Sequence, residues 1–547
     1  MKRVSSWAVR LAGIFLFGVT AWYVPWVLSN LNWGAPWLSI PFALATLLTA
    51  LMTIVTVINH WHYAVPQERS VPAGEEPRVA VIIPTYGEPP SMLYQTARSV
   101  LQGDYPQERL VLFLSDDAHR LTTVELVYRL QYEFPRAEFV YHDPPRPGQP
   151  ERRGEAKAGN LNSVLDRINA AYPDVQWIET RDADDMVGDP TFLRQALGQL
   201  LADPTAAFVQ TIKEAQTGPG DPFGNLEPLF YRRAMLARNA ANAVFPCGSG
   251  LVWRREALND IGGFPTWNLV EDLQSGVEAL RRGWRGVYLP IVGAVGQTAP
   301  EDIPNAIKQR GTWALDTLRL TFWGVKKGLS LRQNLQFSEL GFFYLLSLAV
   351  LVFLTVPVVS LVFDLYPLVT SHQTYAAHFW PYAAAVELLL AALAQGLPYE
   401  ALWRARQTWL GMAPVYARAA LVALRYGPGR KPSYRVTRKF HQHQWYWRET
   451  LPQFLLLLGL IGASIYHLLT HSLLDRADLG SLFWAAFLAV ALSRTVRNAW
   501  YGVSPRQVLA GWARGLSPRS PLRWALRSVA VMTRARDGMV GRGKGVG

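Results

Sequence analysis

VAVIIPTYGE, Val79 to Glu88, opens with an apolar run rich in β-branched residues and closes on a polar turn, so it reads as a strand leading into a loop. A helical stretch follows from about Met92, and Leu110 to Ser115 is a second apolar run. Further runs at Glu138 to His142, Trp177 to Asp182 and Ala207 to Gln210 alternate with helical patterns near Ala158 to Ala171 and Thr191 to Leu201. Strand and helix in alternation predict an α/β domain with a mostly parallel sheet. Ligands of such sheets bind beyond the carboxyl ends of the strands, so chemistry is sought just after each run.

Outward from this region the chain changes character. It has 547 residues, half of them hydrophobic, with 54 basic and 41 acidic side chains and a net charge of +13. Its mean hydropathy is +0.06. That balance excludes a disordered or collagen-like chain and fits neither a wholly soluble enzyme nor a wholly embedded transporter. The single cysteine, Cys247, leaves no internal disulfide.

Six apolar runs approach the roughly 20 residues a helix needs to cross hydrocarbon. They lie near Leu11 to Ser29, Leu38 to Ile58, Leu340 to Phe363, Phe379 to Leu397, Phe454 to Leu469 and Leu482 to Val496. The first follows Lys2, Arg3 and Arg10 without a small-residue cleavage site, so it is expected to be a retained anchor. Residues 398–451 carry roughly ten Lys and Arg and the tail after Val496 a similar number, whereas the connections near Asn30, Asp364 and Asp475 carry almost none. The α/β region and both termini are therefore expected on the cytoplasmic side of an inner or plasma membrane. The same loops explain the positive charge, through attraction to anionic membrane lipid; no nucleic-acid motif competes and no nucleic-acid partner is expected.

The expected divisions are 1–66, two membrane helices; 67–300, the α/β domain; 301–335, interface helices; 336–397, membrane helices; 398–451, an interface helix and a loop; 452–497, membrane helices; and 498–547, a basic tail. Ile303 to Trp323 and Leu402 to Leu424 are amphipathic, as helices lying at a membrane face are.

At the strand ends stand Thr85-Tyr86-Gly87-Glu88, Asp116-Asp117 and Asp182-Ala183-Asp184-Asp185. Carboxylates gathered at one sheet edge repel unless a cation joins them. Oxygen ligands point to Mg²⁺ or Mn²⁺, which hold phosphate-bearing substrates through one or two carboxylates.

In chain order IPTYGE (Ile83 to Glu88), SDD (Ser115 to Asp117), KAGNLN (Lys157 to Asn162), DAD (Asp182 to Asp184), CGSG (Cys247 to Gly250), VED (Val270 to Asp272), QRGTW (Gln309 to Trp313) and YRVTRK (Tyr434 to Lys439) resemble the motifs of family 2 glycosyltransferases, and among these the processive membrane synthases of the cellulose synthase type. The resemblance implies a GT-A-like domain set in about six membrane helices with amphipathic interface helices. It implies a UDP-sugar donor, UDP-glucose foremost, and a growing β-linked polysaccharide as acceptor, with an accessory export or regulatory subunit as a further partner. Thr85, Tyr86, Glu88, Asp117, Lys157 and Asp182 match nucleotide positions; Asp182 and Asp184 match the metal motif. Asp272, with Glu271 before it, matches the general base of an inverting transfer. Cys247, Gly248, Gln309 and Trp313 match the acceptor side. Arg310, Thr437 and Lys439 fall to the diphosphate and a gating loop. An arginine usually precedes the tryptophan of the acceptor motif; here the residue is Thr312, with Arg310 or Lys308 as substitutes for its charge. The rival readings are a transferase that adds one sugar to a lipid carrier and an inactive export subunit.

Overall fold

The computed structural model describes residues 6–268, 271–427, 430, 432, 444–471 and 476–501. Val270 and the expected gating loop, with Thr437 and Lys439, lie outside them.

Two apolar helices come first, α1 (Ser6–Ser29) and α2 (Pro36–Asn59). The α/β domain follows, its strands being β1 (Val79–Thr85), β2 (Leu110–Asp116), β3 (Glu138–His142), β4 (Trp177–Thr180), β5 (Asp185–Met186), β6 (Ala206–Ala215), β7 (Leu251–Arg254) and β8 (Arg285–Gly296). Its helices are α3 (Pro90–Leu101), α4 (Leu121–Glu133), α5 (Ala156–Ala171), α6 (Phe192–Ala202), α7 (Met235–Ala240), α8 (Arg255–Asp260) and α9 (Glu271–Arg281). These eight strands form one sheet in the order β3-β2-β1-β4-β7-β6-β8-β5. β1 to β4 run parallel; β7 is antiparallel to both β4 and β6, β8 is parallel to β6, and β5 is antiparallel to β8.

The mostly parallel sheet expected from the alternation is present and GT-A-like. Along β1, Ala80 and Ile82 enter one core while Val79, Val81 and Ile83 enter the other. β2 splits likewise, with Val111 and Phe113 opposite Leu110, Leu112 and Leu114. Helices cover both faces, which is why β1 is apolar from Val79 to Pro84 and β2 from Leu110 to Leu114. Three strands were not read from the sequence, namely β5, β7 and β8. β4 also stops at Thr180, two residues short of the expected end, so Asp182 stands in the turn after the strand. Beneath that turn Arg181 and Glu179 form a fully buried ion pair, with Arg181 also donating to the Gly293 carbonyl at 3.1 Å.

After the domain come α10 (Ile303–Trp323), α11 (Leu331–Phe363), α12 (His372–Leu393), α13 (Tyr399–Arg425), α14 (Leu451–Thr470) and α15 (Arg476–Asn498). Among the described residues six helices are long and apolar enough to cross a membrane: α1, α2, α11, α12, α14 and α15 from Leu479. This is a membrane protein. α10 and α13 pack together through Ile303, Ala306, Ala314 and Leu318 against Met412, Tyr416, Ala419 and Ala420, which accounts for the apolar stripe on each.

α11 begins before its apolar run because Ser330 and Gln333 form a reciprocal capping box. Its first turns are pinned on two sides. Gln333 donates to the Asn242 carbonyl at 2.8 Å and Arg238 donates to the Gln336 carbonyl at 2.9 Å, both in the α/β domain. On the other side Gln336 donates to the Asn59 carbonyl at 3.0 Å, while Thr56 and Asn59 of α2 donate to the Glu339 carboxylate at 2.9 and 2.8 Å.

Because Arg181 has no route to water, Glu179→Ala leaves an unpaired buried charge. It is expected to cost about 3–5 kcal/mol, seen as a lowered unfolding midpoint of the detergent-solubilised protein, whereas substitution of the exposed Glu125 leaves the midpoint in place.

Candidate functional site

The carboxyl ends of β1, β2 and β4 place their loops side by side. In the first, the Glu88 carboxylate folds back to accept from the Thr85 hydroxyl at 2.6 Å and the Tyr86 N–H at 2.8 Å, and leaves the Tyr86 ring exposed. Arg120 ties this loop to the next, donating to the Glu88 carbonyl and to Asp116. Asp117 accepts both arms of Arg152, at 2.7 and 3.1 Å.

Asp182 is the centre of the site. One carboxylate oxygen accepts from Lys157 at 2.6 Å and the other from Lys213 at 2.7 Å. Lys213 also meets Asp185 at 2.7 Å, and Lys157 lies 3.3 Å from Glu271. Burial works against the charge on Asp182, yet the two ammonium groups hold its carboxyl well below the usual range. Burial likewise opposes the charge on Lys157 and Lys213, and the surrounding carboxylates raise both above an ordinary lysine.

Opposite them, Asp272 sits in the first turn of α9, where its carboxylate accepts from the Leu273 N–H at 2.7 Å. Burial and the neighbouring charge of Glu271 push its pKa up to about 7, against the pull of Lys157. Gly248 shows how closely these groups converge. Its φ is +84°, and a Cβ there would stand 3.3 Å from Lys157 Nζ, 3.4 Å from Asp272 Oδ2 and 3.9 Å from Asp182 Oδ2. The positive φ favours glycine, and a Cβ would press on the Lys157 ammonium. Burial raises the Cys247 thiol above its ordinary value, so it is no nucleophile at neutral pH.

A cavity of about 2330 Å³ is lined by Thr85, Tyr86, Glu88, Asp117, Lys157, Asp182, Asp184, Cys247, Gly248, Glu271, Asp272, Gln309, Arg310 and Trp313. It continues between the membrane helices, past Phe343 of α11, Trp380 of α12, Trp409 of α13 and Phe487 of α15. Arg310 lines this cavity, but its guanidinium is turned to the 221–227 loop: it pairs with Glu227 at 2.9 Å and donates to the Gly224 carbonyl at 2.8 Å. The Thr312 hydroxyl donates to the Lys308 carbonyl one turn back in its own helix, at 2.8 Å.

Two contributors were not read from the sequence: Lys213 and Arg152. Lys213 carried a signal, as the one charge in the otherwise uncharged stretch Ala206 to Lys213 of β6.

Asp182 and Asp184 are the carboxylates that would hold a divalent cation, which would have to share Asp182 with Lys157 and Lys213. No group of three or more His, Cys, Asp or Glu positioned to hold a metal occurs among the described residues. Two carboxylates suit an oxygen-liganded ion such as Mg²⁺ or Mn²⁺, which would take its remaining oxygens from water and substrate phosphates.

A turn of acidic residues after a parallel strand, faced by lysines and a buried carboxyl, makes this α/β unit a nucleotide-sugar transferase domain by class. Residues 77–315 match the family described as Glycosyltransferase like family 2, so this domain is a glycosyltransferase domain of that kind. The chain is 33% identical over 304 residues to the UDP-forming cellulose synthase catalytic subunit of Pseudomonas fluorescens, an alignment covering 53% of this chain and 38% of that one. It is 29% identical over 365 residues to putative cellulose synthase 2 of Komagataeibacter xylinus, covering 62% and 22%. The chain thus spans well under half the length of these curated relatives. Among solved structures, a mannosyltransferase from Pyrobaculum calidifontis in complex with GDP-Man and Mn²⁺ superposes with a TM-score of 0.47 at 22% identity, covering 70% of this chain and 99% of that one.

If Asp272 accepts a proton, it must be ionised to do so. Its pKa of about 7 then sets the acid limb of kcat/KM: activity falls about tenfold per pH unit below neutrality and levels off above it. The pH profile of sugar transfer checks this. Gly248→Ala, strained and obstructing, is expected to abolish transfer while the domain still folds, as read by its unfolding midpoint.

Proposed function

We propose that this chain is a processive, inverting glycosyltransferase that extends a β-linked polysaccharide from a UDP-sugar, with UDP-glucose as donor, and passes the product through its own membrane helices. The observation that carries this reading is the single cavity that joins Asp182 and Asp272 to Trp313 and onward between α11, α12, α13 and α15.

The loops at Thr85 to Glu88 and at Asp117 hold the nucleotide, and Lys157 meets its phosphates. Asp182 and Asp184 would hold the divalent cation, Mg²⁺ or Mn²⁺, which neutralises the diphosphate when bound. Gln309 and Trp313 place the terminal sugar of the acceptor, the indole offering a flat apolar face. The acceptor hydroxyl oxygen bonds to the anomeric carbon as the bond to the β-phosphate oxygen breaks. The electron pair leaves with UDP and the hydroxyl proton passes to Asp272. Attack from the face opposite the leaving group inverts the centre, so an α-linked donor gives a β linkage. The α/β domain faces the cytoplasm, where nucleotide sugars are made, in keeping with the basic loops.

Membranes containing the chain, incubated with a panel of labelled nucleotide sugars, are expected to yield long polymer with UDP-glucose. A product limited to one sugar on a lipid would overturn the processive reading. Asp272→Asn is expected to lower transfer by about 10²- to 10⁴-fold with UDP binding largely retained, because the amide cannot take the proton; unchanged activity would remove Asp272 from the mechanism.

A further inference from the structure

We propose that Lys213 is a diphosphate-binding residue of this site, supplying from β6 the positive charge that Thr312 does not supply from α10. The inference rests on the proposed function and concerns how its leaving group is held.

A departing nucleoside diphosphate needs cations near the bond that breaks, and a neutral hydroxyl is no substitute for a charged donor. On α10 no charge is presented by Thr312, whose hydroxyl donates to the Lys308 carbonyl. Arg310 does not fill the gap. Its fork is held by Glu227 and by the Phe223 and Gly224 carbonyls, nine-tenths buried, and freeing it would leave Glu227 without its cation.

Lys213 reaches the same cavity from the opposite side. Its ammonium lies 2.7 Å from Asp182 Oδ2, the oxygen not taken by Lys157, and 2.7 Å from Asp185 Oδ2. Lys157 and Lys213 thus bracket the carboxylate beside which a phosphate-bound cation would sit. They face Asp182, Asp184, Asp185, Glu271 and Asp272, so five carboxyl groups share two ammoniums before any diphosphate arrives. An ammonium has three donors. Lys213 donates to Asp182 and is only ion-paired with Asp185, which leaves a hydrogen for a phosphate oxygen, and its side chain, a little over a quarter exposed, opens on the cavity. The bland alternative is a strut that only ties Asp182 to Asp185.

The two roles separate on the number of phosphates in the ligand. UDP and UMP are titrated with Mg²⁺ onto the full-length, detergent-solubilised chain, and onto Lys213→Ala, Lys213→Gln and Lys213→Arg. A residue that contacts the β-phosphate is expected to cost about tenfold or more in UDP affinity when lost, to leave UMP affinity unchanged, and to be rescued by arginine. Lys213→Gln can still bond Asp182 and Asp185 without charge, and it gives the same comparison if alanine loosens the turn. Thr312→Arg placed in the Lys213→Ala chain is expected to restore part of the lost UDP affinity and of kcat. Equal losses for UDP and UMP, or full UDP affinity in Lys213→Gln, would overturn the inference and leave the strut. A parent chain that binds UDP no better than UMP would overturn the inference and the proposed function together, whereas a parent that prefers UDP but makes no polymer overturns only the latter.

Discussion

The carboxylate of Asp182 is held between two lysines that come from distant parts of the chain, and the site is organised around that contact. Lys157 stands at the start of α5 and Lys213 near the end of β6. Both must arrive at one oxygen each, which requires β4, β6 and α5 to meet at one end of the sheet. The sheet does this with its two apolar cores. Phe113, Ile82 and Ile178 pack on one face and Leu112, Val81 and Val252 on the other, all fully buried. Under the turn itself the Arg181–Glu179 pair fixes the base of the Asp182 loop from inside the domain.

Much of this was readable because it is local. An apolar run followed by Asp-Ala-Asp says that carboxylates stand at a strand end, and Gly248 is read as part of a short motif. The helices that can cross a membrane announce themselves by length and composition alone. What resisted reading depends on register between segments far apart. Lys213 points into the site because β6 and β8 pair with shifts near Ile212, and nothing within β6 encodes its partner's offset. β8 itself is broken by Pro290 and by glycines, and β7 is only four residues long before α8 begins, so neither carries a periodic signal. Arg310 illustrates the same limit in reverse. Its motif suggests a diphosphate ligand, but its partner Glu227 lies 83 residues earlier, in a left-handed backbone conformation with φ of +41° that only the folded chain reveals.

The division of labour between the two halves of the cavity follows from their solvents. Charged groups are gathered where the α/β domain can surround them with hydrogen bonds and opposite charge. Toward the membrane helices the lining gains large aromatic surfaces, with Phe343, Trp380, Trp409 and Phe487, beside charged side chains such as Glu387 and Arg406. The same principle explains why α10 and α13 are amphipathic: each must face an apolar neighbour on one side and the polar domain on the other.

α11 spans about 50 Å as one uninterrupted helix of 33 residues. Its lower end is fastened to the α/β domain through Gln333 and Gln336 and to α2 through Glu339. Such a rod has little compliance along its axis. Rocking the whole domain would therefore drag the bilayer-embedded bundle with it, and each turnover would have to deform lipid as well as protein. The turn at Asp182 thereby keeps a fixed height above the membrane helices.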